Sequence, residues 1–480
     1  MVHTIGSSFD TEVVQNLVLQ GERWINEKKG LVELDFSGQR SSIFQVLERI
    51  EKWEVQGTEM LLGKIFDEIG FDKIGDKIFR KLVIGRLVYA ASKLKTVDLL
   101  AQYNDYYLDV QSVYRYMDKL YNSQKELVQQ ISYEHTVKVL NQRPSIVFYD
   151  VTTLYFEVDQ EDSLRKTGFS KEGRHQNPQI VLGLLVSLDG YPLAYEIFEG
   201  NKFEGHTMLP VVETFKNKYS LDKLVIIADS GLLSNANVEA LQKEGYEYIL
   251  GARIKSEKQP TRDLITKLGL GNGECQWVDN GPLRKLLVSY SEARAKKDKL
   301  NREKGLKKLQ KQILSGKLTK ANINNKGYNK YLRMEGSIQI SIDLEKFKAD
   351  GQWDGLKGYI TNTNLSKEEI IESYGQLWKI EKAFRISKSD LKIRPIFHYR
   401  QRRIEAHICI TFAAYKVYKE LERQLKSLGS KLSPEKAIEI AKTVIAIHLT
   451  IPSTNEPVKK LLLLNDKQKS LFSLFNLTQI

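Results

Sequence analysis

The chain of 480 residues is 41% hydrophobic and 28% charged, which suits ordinary packed cores and excludes global disorder. A prior of roughly 150 residues per domain suggests about three domains. Lys and Arg number 73 against 60 acidic residues, and the net charge of +13 favours a polyanionic partner, nucleic acid before an anionic membrane.

Taken in chain order, residues 1–140 read as mostly helical. Leu82, Val83, Ile84, Leu87 and Val88 recur at helical spacing, followed by Leu99, Leu100 and Tyr103. Asp109 can cap a helix running to Leu120, with Val113, Met117 and Leu120 inward and Arg115 and Lys119 outward. Two helices joined by a short turn with basic residues outside are compatible with a helix-turn-helix DNA reader, and equally with a small helical bundle.

The texture changes after Pro144. Residues 146–156 form a β-branched and aromatic run around Asp150, and 179–188 form a second apolar run that Asp189-Gly190 turns back into 191–198. A helix over 206–219, an apolar strand over 224–228 ending at Asp229, a helix over 235–244 and a strand over 246–252 follow. Continuous apolar strands imply a sheet covered on both faces, hence an α/β core. Residues 255–355 read as an insertion into that core, with strands over 284–290 and 337–342. Between these strands, residues 294–320 carry eleven basic residues, Lys304, Lys307, Lys308 and Lys311 among them, against the acids Asp298 and Glu303. A run of this kind is either a solvated helix face or a polyanion contact. The core resumes with a strand over 358–361 and a single long helix over 366–388, and a helical region runs from about 401 to 480.

Two cysteines, Cys275 and Cys409, have the spacing of neither a disulfide framework nor a zinc site and fit a reducing compartment. Residues 1–10 lack a signal-peptide layout, and no stretch approaches about 18 uninterrupted apolar residues. The expectation is a cytoplasmic protein without membrane contact.

The acids carry the chemistry. Attack on an already anionic phosphodiester is eased by two divalent cations about 3.5–4 Å apart, and magnesium-type ions ask for converging carboxylates. Asp150 sits inside an apolar strand, where a carboxylate is costly unless paired, metal-bound or aimed at an edge. Asp229 closes a core strand at its carboxyl end, where α/β sheets place ligands, although such an Asp also serves as a turn former. In the helix over 366–388, Tyr374, Trp378, Glu381, Arg385 and Lys388 share one face, which suits a site or an ordinary solvated face with a Glu381–Arg385 pair.

These motifs resemble bacterial insertion-sequence transposases of the DDE class, with their Tyr-x2-Arg-x3-Glu-x6-Lys signature. Tyr374, Glu381 and Lys388 match at the right spacing, with Leu377 where the arginine would stand. Leu377-Trp378-Lys379-Ile380-Glu381 through Phe384-Arg385, then Arg394-Pro395-Ile396-Phe397-His398, fit a closer subgroup. The resemblance implies a ribonuclease H-like mixed-sheet core over 141–400, interrupted by the basic insertion. A helical DNA-end-binding domain would precede it over 1–140, and a helical region suited to dimerisation would follow over 401–480. It also implies Asp150, Asp229 and Glu381 as catalytic and metal-ligating residues for two Mg²⁺, with Mn²⁺ able to substitute. Arg385, with Lys379 second, takes the missing arginine's place. Tyr374, Trp378, Arg385, Lys388, Arg394, the four insertion lysines, Arg115 and Lys119 are the expected DNA contacts. The implied partners are double-stranded element ends and target DNA, bound by a homodimer near the bacterial nucleoid, with no small-molecule substrate. A structure-specific nuclease on the same fold, or a non-catalytic DNA-binding derivative, are the other readings.

Overall fold

The computed structural model describes residues 4–29, 46–170, 173–232, 235–280, 284–316, 318, 322–324, 327–335, 339–451 and 454–477. Lys317 and Lys320 of the basic run, and the start of the strand expected over 337–342, lie outside them. The strands in chain order begin with β1 (Ile50–Val55), β2 (Ile146–Tyr155), β3 (Gln179–Ser187) and β4 (Pro192–Glu199). Next come β5 (Val225–Ala228), β6 (Glu247–Ala252), β7 (Cys275–Val278), β8 (Lys285–Tyr290) and β9 (Leu332–Glu335). The last are β10 (Gln339–Ile342), β11 (Leu356–Thr361), β12 (Ile445–Thr450) and β13 (Pro457–Leu462).

By their contacts the residues fall into two units. One comprises 1–61, 102–106 and 439–480, and its sheet has the order β1-β12-β13, antiparallel throughout. Helices dominate the sequence's two ends, as expected, yet these three strands stand where only helix was read. Their pairing joins residues remote in sequence, Trp53 opposite Ile447, and six-residue strands leave too little alternation to outvote a helical reading.

The second unit, 62–101 and 107–438, holds an eight-stranded mixed sheet in the order β4-β3-β2-β5-β6-β11-β8-β7. β2, β3 and β4 run as an antiparallel meander, and β5 and β6 lie parallel to β2. That five-strand arrangement is the ribonuclease H-like core. Every residue of β3 and β5 is buried, the burial expected of uninterrupted apolar strands with both faces covered. The turn between β3 and β4 forms as read, with Gly190 at φ 88° donating its N–H to the Ser187 carbonyl at 2.8 Å.

The insertion feeds this sheet rather than standing apart. β7 and β8 extend it, and β11 lies between β6 and β8, antiparallel to both. The basic run forms the helix Glu292–Leu314, capped by Ser291, and Leu309 on its inner side packs with Tyr331 and Leu332.

The two faces of β2 divide the labour. Val147, Tyr149 and Val151 enter the main core with Met208, Val212 and Phe215 of the helix Met208–Tyr219. Alternation turns Phe148, Asp150 and Thr152 to the other face. The helix Trp378–Ser389 packs against β2, and its buried Ile380, Ala383, Phe384 and Ile386 stand outside the main core, so it covers the face that carries Asp150. Among the described residues no helix is long and apolar enough to cross a membrane.

Candidate active site

Asp150 and Asp229 meet through strand register. The parallel pairing of β2 with β5 runs Ile146–Val225, Val147–Ile226, Phe148–Ile227 and Tyr149–Ala228. The next residue on each strand is Asp150 and Asp229, so two carboxylates leave adjacent parallel strands at the same level. β5 ends there and frees the backbone to turn, with the Ser230 N–H donating to Asp229 Oδ1 at 2.7 Å. Asp229 is exposed and Asp150 half-buried.

The expected long helix is broken. It starts where read, with Ser366 and Glu369 forming a reciprocal capping box, but the helix Lys367–Gly375 ends and a second, Trp378–Ser389, begins. Across the join the Gln376 N–H bonds to the Ser373 carbonyl and the Leu377 N–H to that of Tyr374, each at 3.1 Å. These tight bonds replace the regular ladder beside Gly375, a poor helix former. Tyr374 therefore belongs to a different helix from Trp378, Glu381, Arg385 and Lys388, and the single five-residue face does not form.

The break aims Tyr374 inward. It is only 5% exposed, and its hydroxyl donates to Asp229 Oδ1 at 3.4 Å. Burial raises its hydroxyl pKa, and the charges of Asp229 and Glu381 raise it further. Glu381 is exposed, one helical turn into Trp378–Ser389.

Lys357 on β11 escaped the sequence reading. Its ammonium lies 4.3 Å from the Tyr374 ring centroid and 5.4 Å from that of Tyr359, while the two rings meet edge-on at 5.1 Å. Burial lowers its pKa, Arg294 lowers it further, and Asp229 and Glu381 pull it back up. One cation thus feels two of the three acids. A lysine two residues before a tyrosine in a strand shows this only once β11 is known to sit beside β6.

Ser230 and Lys357 also line a cavity of about 520 Å³ with Arg253, Lys255, Arg294 and Arg302. Arg302 pairs with Asp354, and Lys255 with Asp350 at 3.3 Å, so part of that charge is offset. The insertion therefore builds one wall beside the acids.

The remaining expected contacts spread out. Leu377, where the expected signature has arginine, is buried, and Lys379 donates to the Leu188 carbonyl at 2.7 Å. Arg385 is exposed and its charge acts on Asp390. Trp378 is 51% exposed and lines a separate cavity with Lys379, Lys382 and Lys419. Lys388 is half-buried, and Arg394 lies over the Tyr155 ring at 5.8 Å. Lys304, Lys307, Lys308 and Lys311 are exposed on one side of their helix. Arg115 and Lys119 are exposed on the helix Val110–Lys119, which Asp109 caps as read, and Lys119 pairs with Asp76 at 3.2 Å.

The donor set suits a hard divalent cation in kind, since all three groups are carboxylates with oxygen donors. Asp150 and Asp229 are neighbours, and Glu381 lies on the helix over Asp150's face. Among the described residues, however, no three such side chains already stand close enough together to hold an ion. The two cysteines are free thiols.

A family model described as Transposase DDE domain matches residues 141–416, more than half of the chain. No curated protein matches the sequence. Among solved structures, the chain is similar to piggyBac transposase in a synaptic complex with hairpin DNA, at 10% identity and a TM-score of 0.40, over 82% of this chain and 80% of that one. It is also similar to the Mos1 mariner paired-end complex with Mn, at 11% identity and a TM-score of 0.16, over 33% of this chain and 54% of that one.

Proposed function

This chain belongs to the transposase DDE-domain family, and on that premise we propose that it cuts DNA at the ends of a bacterial insertion sequence and joins those ends to target DNA. The observation that carries the reading is the register placing Asp150 and Asp229 side by side, one step past the last β2–β5 pair.

Asp150, Asp229 and Glu381 are the residues that would hold Mg²⁺, or Mn²⁺ in its place. Bound there, two such cations would supply Lewis acidity to the attacking and leaving oxygens. The first step breaks the bond between phosphorus and the 3′ oxygen at the element end as a water oxygen bonds to phosphorus. In the second, the freed 3′ oxygen bonds to a target phosphorus and displaces another 3′ oxygen. Both are in-line displacements, so no covalent enzyme intermediate is required.

The protein's own groups orient and neutralise. Tyr374 steadies the Asp229 carboxylate, and Lys357 offsets charge between Asp229 and Glu381. The segment from Tyr374 to Lys388 reads as a variant of the bacterial signature in which Lys357 and Arg294, rather than Arg385, stand in for the missing arginine. The basic helix Glu292–Leu314 then tracks the backbone of flanking DNA. The working form is a homodimer holding two element ends, in the cytoplasm.

A strand-transfer assay tests this reading. The purified chain is mixed with the DNA that flanks its own gene, a target plasmid and Mg²⁺. Joined products are expected; cutting without joining would make it a nuclease, and neither would make it an inert binder.

A further inference from the structure

Away from the acids, two buried cations stand together without a carboxylate. Arg86, in the helix Lys77–Val88, is 5% exposed, and Lys93, at the start of the helix Lys93–Asn104, is 4% exposed. Their partners are neutral. Arg86 donates to the Leu391 carbonyl at 3.4 Å, and the Lys93 ammonium lies 3.2 Å from His407 Nδ1. His407 Nε2 lies 2.9 Å from the Ile393 carbonyl, which only accepts, so Nε2 carries the proton and Nδ1 is left to accept from Lys93. Among the described residues no carboxylate pairs with Arg86 or Lys93.

Both cations line a cavity of about 290 Å³ whose other walls include Arg394, His398 and His407, with no acid among the lining residues. Burial holds His398 and His407 neutral and pushes the Lys93 ammonium down, and the Arg86 charge adds to the effect on Lys93. Ser92, Lys93 and Leu94 also line the cavity; the N–H groups of a helix's first turn have no partner within the helix, and here Ser92 Oγ already caps that of Lys95 at 3.2 Å. Desolvating an uncompensated cation costs several kcal/mol, and here two do so side by side. The lining thus presents cationic donors with no acid to offset them.

We propose that this cavity, between residues 90–94 and 392–398, is an anion site for a phosphate group, filled in the working enzyme by a backbone phosphate of bound DNA. An oxyanion there accepts from the Lys93 ammonium and the Arg86 guanidinium at once, beside the positive end of the helix. The DNA clause rests on the proposed function and on the cavity's place. Arg394 on its wall lies over Tyr155, and the Ile396 N–H donates to the Tyr155 carbonyl at 3.4 Å, at the end of the strand that carries Asp150. Along that strand Tyr155 lies roughly 16 Å from Asp150, within reach of one DNA duplex.

The test is thermal unfolding of the full chain in millimolar inorganic phosphate against chloride of matched ionic strength. A saturable rise in midpoint of about 2 °C is expected. Saturation separates it from the general stabilisation that phosphate exerts by exclusion from protein surfaces. Lys93→Met should lose the increment and Lys93→Arg should keep it. Prior saturation with duplex DNA should remove it. If the increment survives saturating DNA, the site takes free phosphate and the DNA clause is overturned. If wild-type protein shows no difference between phosphate and chloride, the site itself is overturned. The phosphate arm contains no DNA and no divalent cation, so its result is independent of whether the carboxylates cut DNA.

Discussion

The Tyr374 hydroxyl reaches Asp229 Oδ1 at 3.4 Å only because position 251 is glycine. A Cβ there would stand 2.3 Å from that hydroxyl, and the next closest backbone atom, the Ser230 nitrogen, is 3.1 Å away. Gly251→Ala should cost about 1–3 kcal/mol by overpacking and displace the tyrosine from the acid. Tyr374→Phe should leave the fold intact and slow single-turnover DNA cleavage by about tenfold. In the Tyr374→Phe background the alanine should cost less than in wild type, because the clashing hydroxyl is gone. Strict additivity in that double-mutant cycle would refute the contact.

The Lys357 ammonium lies 4.3 Å from the Tyr374 ring centroid and feels the charges of Asp229 and Glu381. Lys357→Met removes a desolvated charge at similar volume, so unfolding stability should change by less than about 1 kcal/mol. The single-turnover cleavage rate should nevertheless fall by about 10-fold to 100-fold. A stable variant with the wild-type rate would remove Lys357 from the site.

The four exposed lysines of the basic helix make a salt-dependence argument. Replacing Lys304, Lys307, Lys308 and Lys311 with alanine should flatten the plot of log K for DNA binding against log salt by up to about 3.6, if each neutralises one phosphate. An unchanged slope would show that this face does not meet DNA.

Three buried histidines outside the acid cluster, His135, His398 and His407, set a pH response. Burial, with Lys416 beside one and Lys93 beside the other, lowers His135 and His398 from the ordinary 6.5 to about 3. Burial also lowers His407, so below about 6.5 the unfolded chain protonates all three while the folded chain does not, and stability falls as pH falls. Each histidine should contribute a slope of about 1.4 kcal/mol per pH unit. Urea unfolding between about pH 7 and about pH 5 should show it, and His135→Gln should remove about a third of it. A flat profile would mean that the three histidines charge freely in the folded state.

Much of the catalytic unit was legible because its strands carry strong local patterns. β2, β3, β5 and β6 appear within a residue or two of where apolar runs and turns put them, and Asp150 and Asp229 are conspicuous as acids inside or ending such runs. What local pattern cannot convey is partnership. Lys357 gains its role from β11 pairing with β6 across the insertion, and Trp53 meets Ile447 over most of the chain's length. The helix break after Gly375 was hidden by Ile370, Leu377, Ile380 and Phe384, which keep an apolar rhythm across the join. Leu377 is part of that rhythm and is buried.

The central claim is that Asp150, Asp229 and Glu381 act together as metal-binding carboxylates. Replacing each in turn with cysteine and measuring DNA cleavage in Mg²⁺ and in Mn²⁺ tests it most directly, because a thiolate is a poor ligand for the harder Mg²⁺. All three variants are expected to bind DNA, to cut undetectably in Mg²⁺ and to regain activity in Mn²⁺ at one or more of the positions. Wild-type cleavage in Mg²⁺ by any of the three would contradict it.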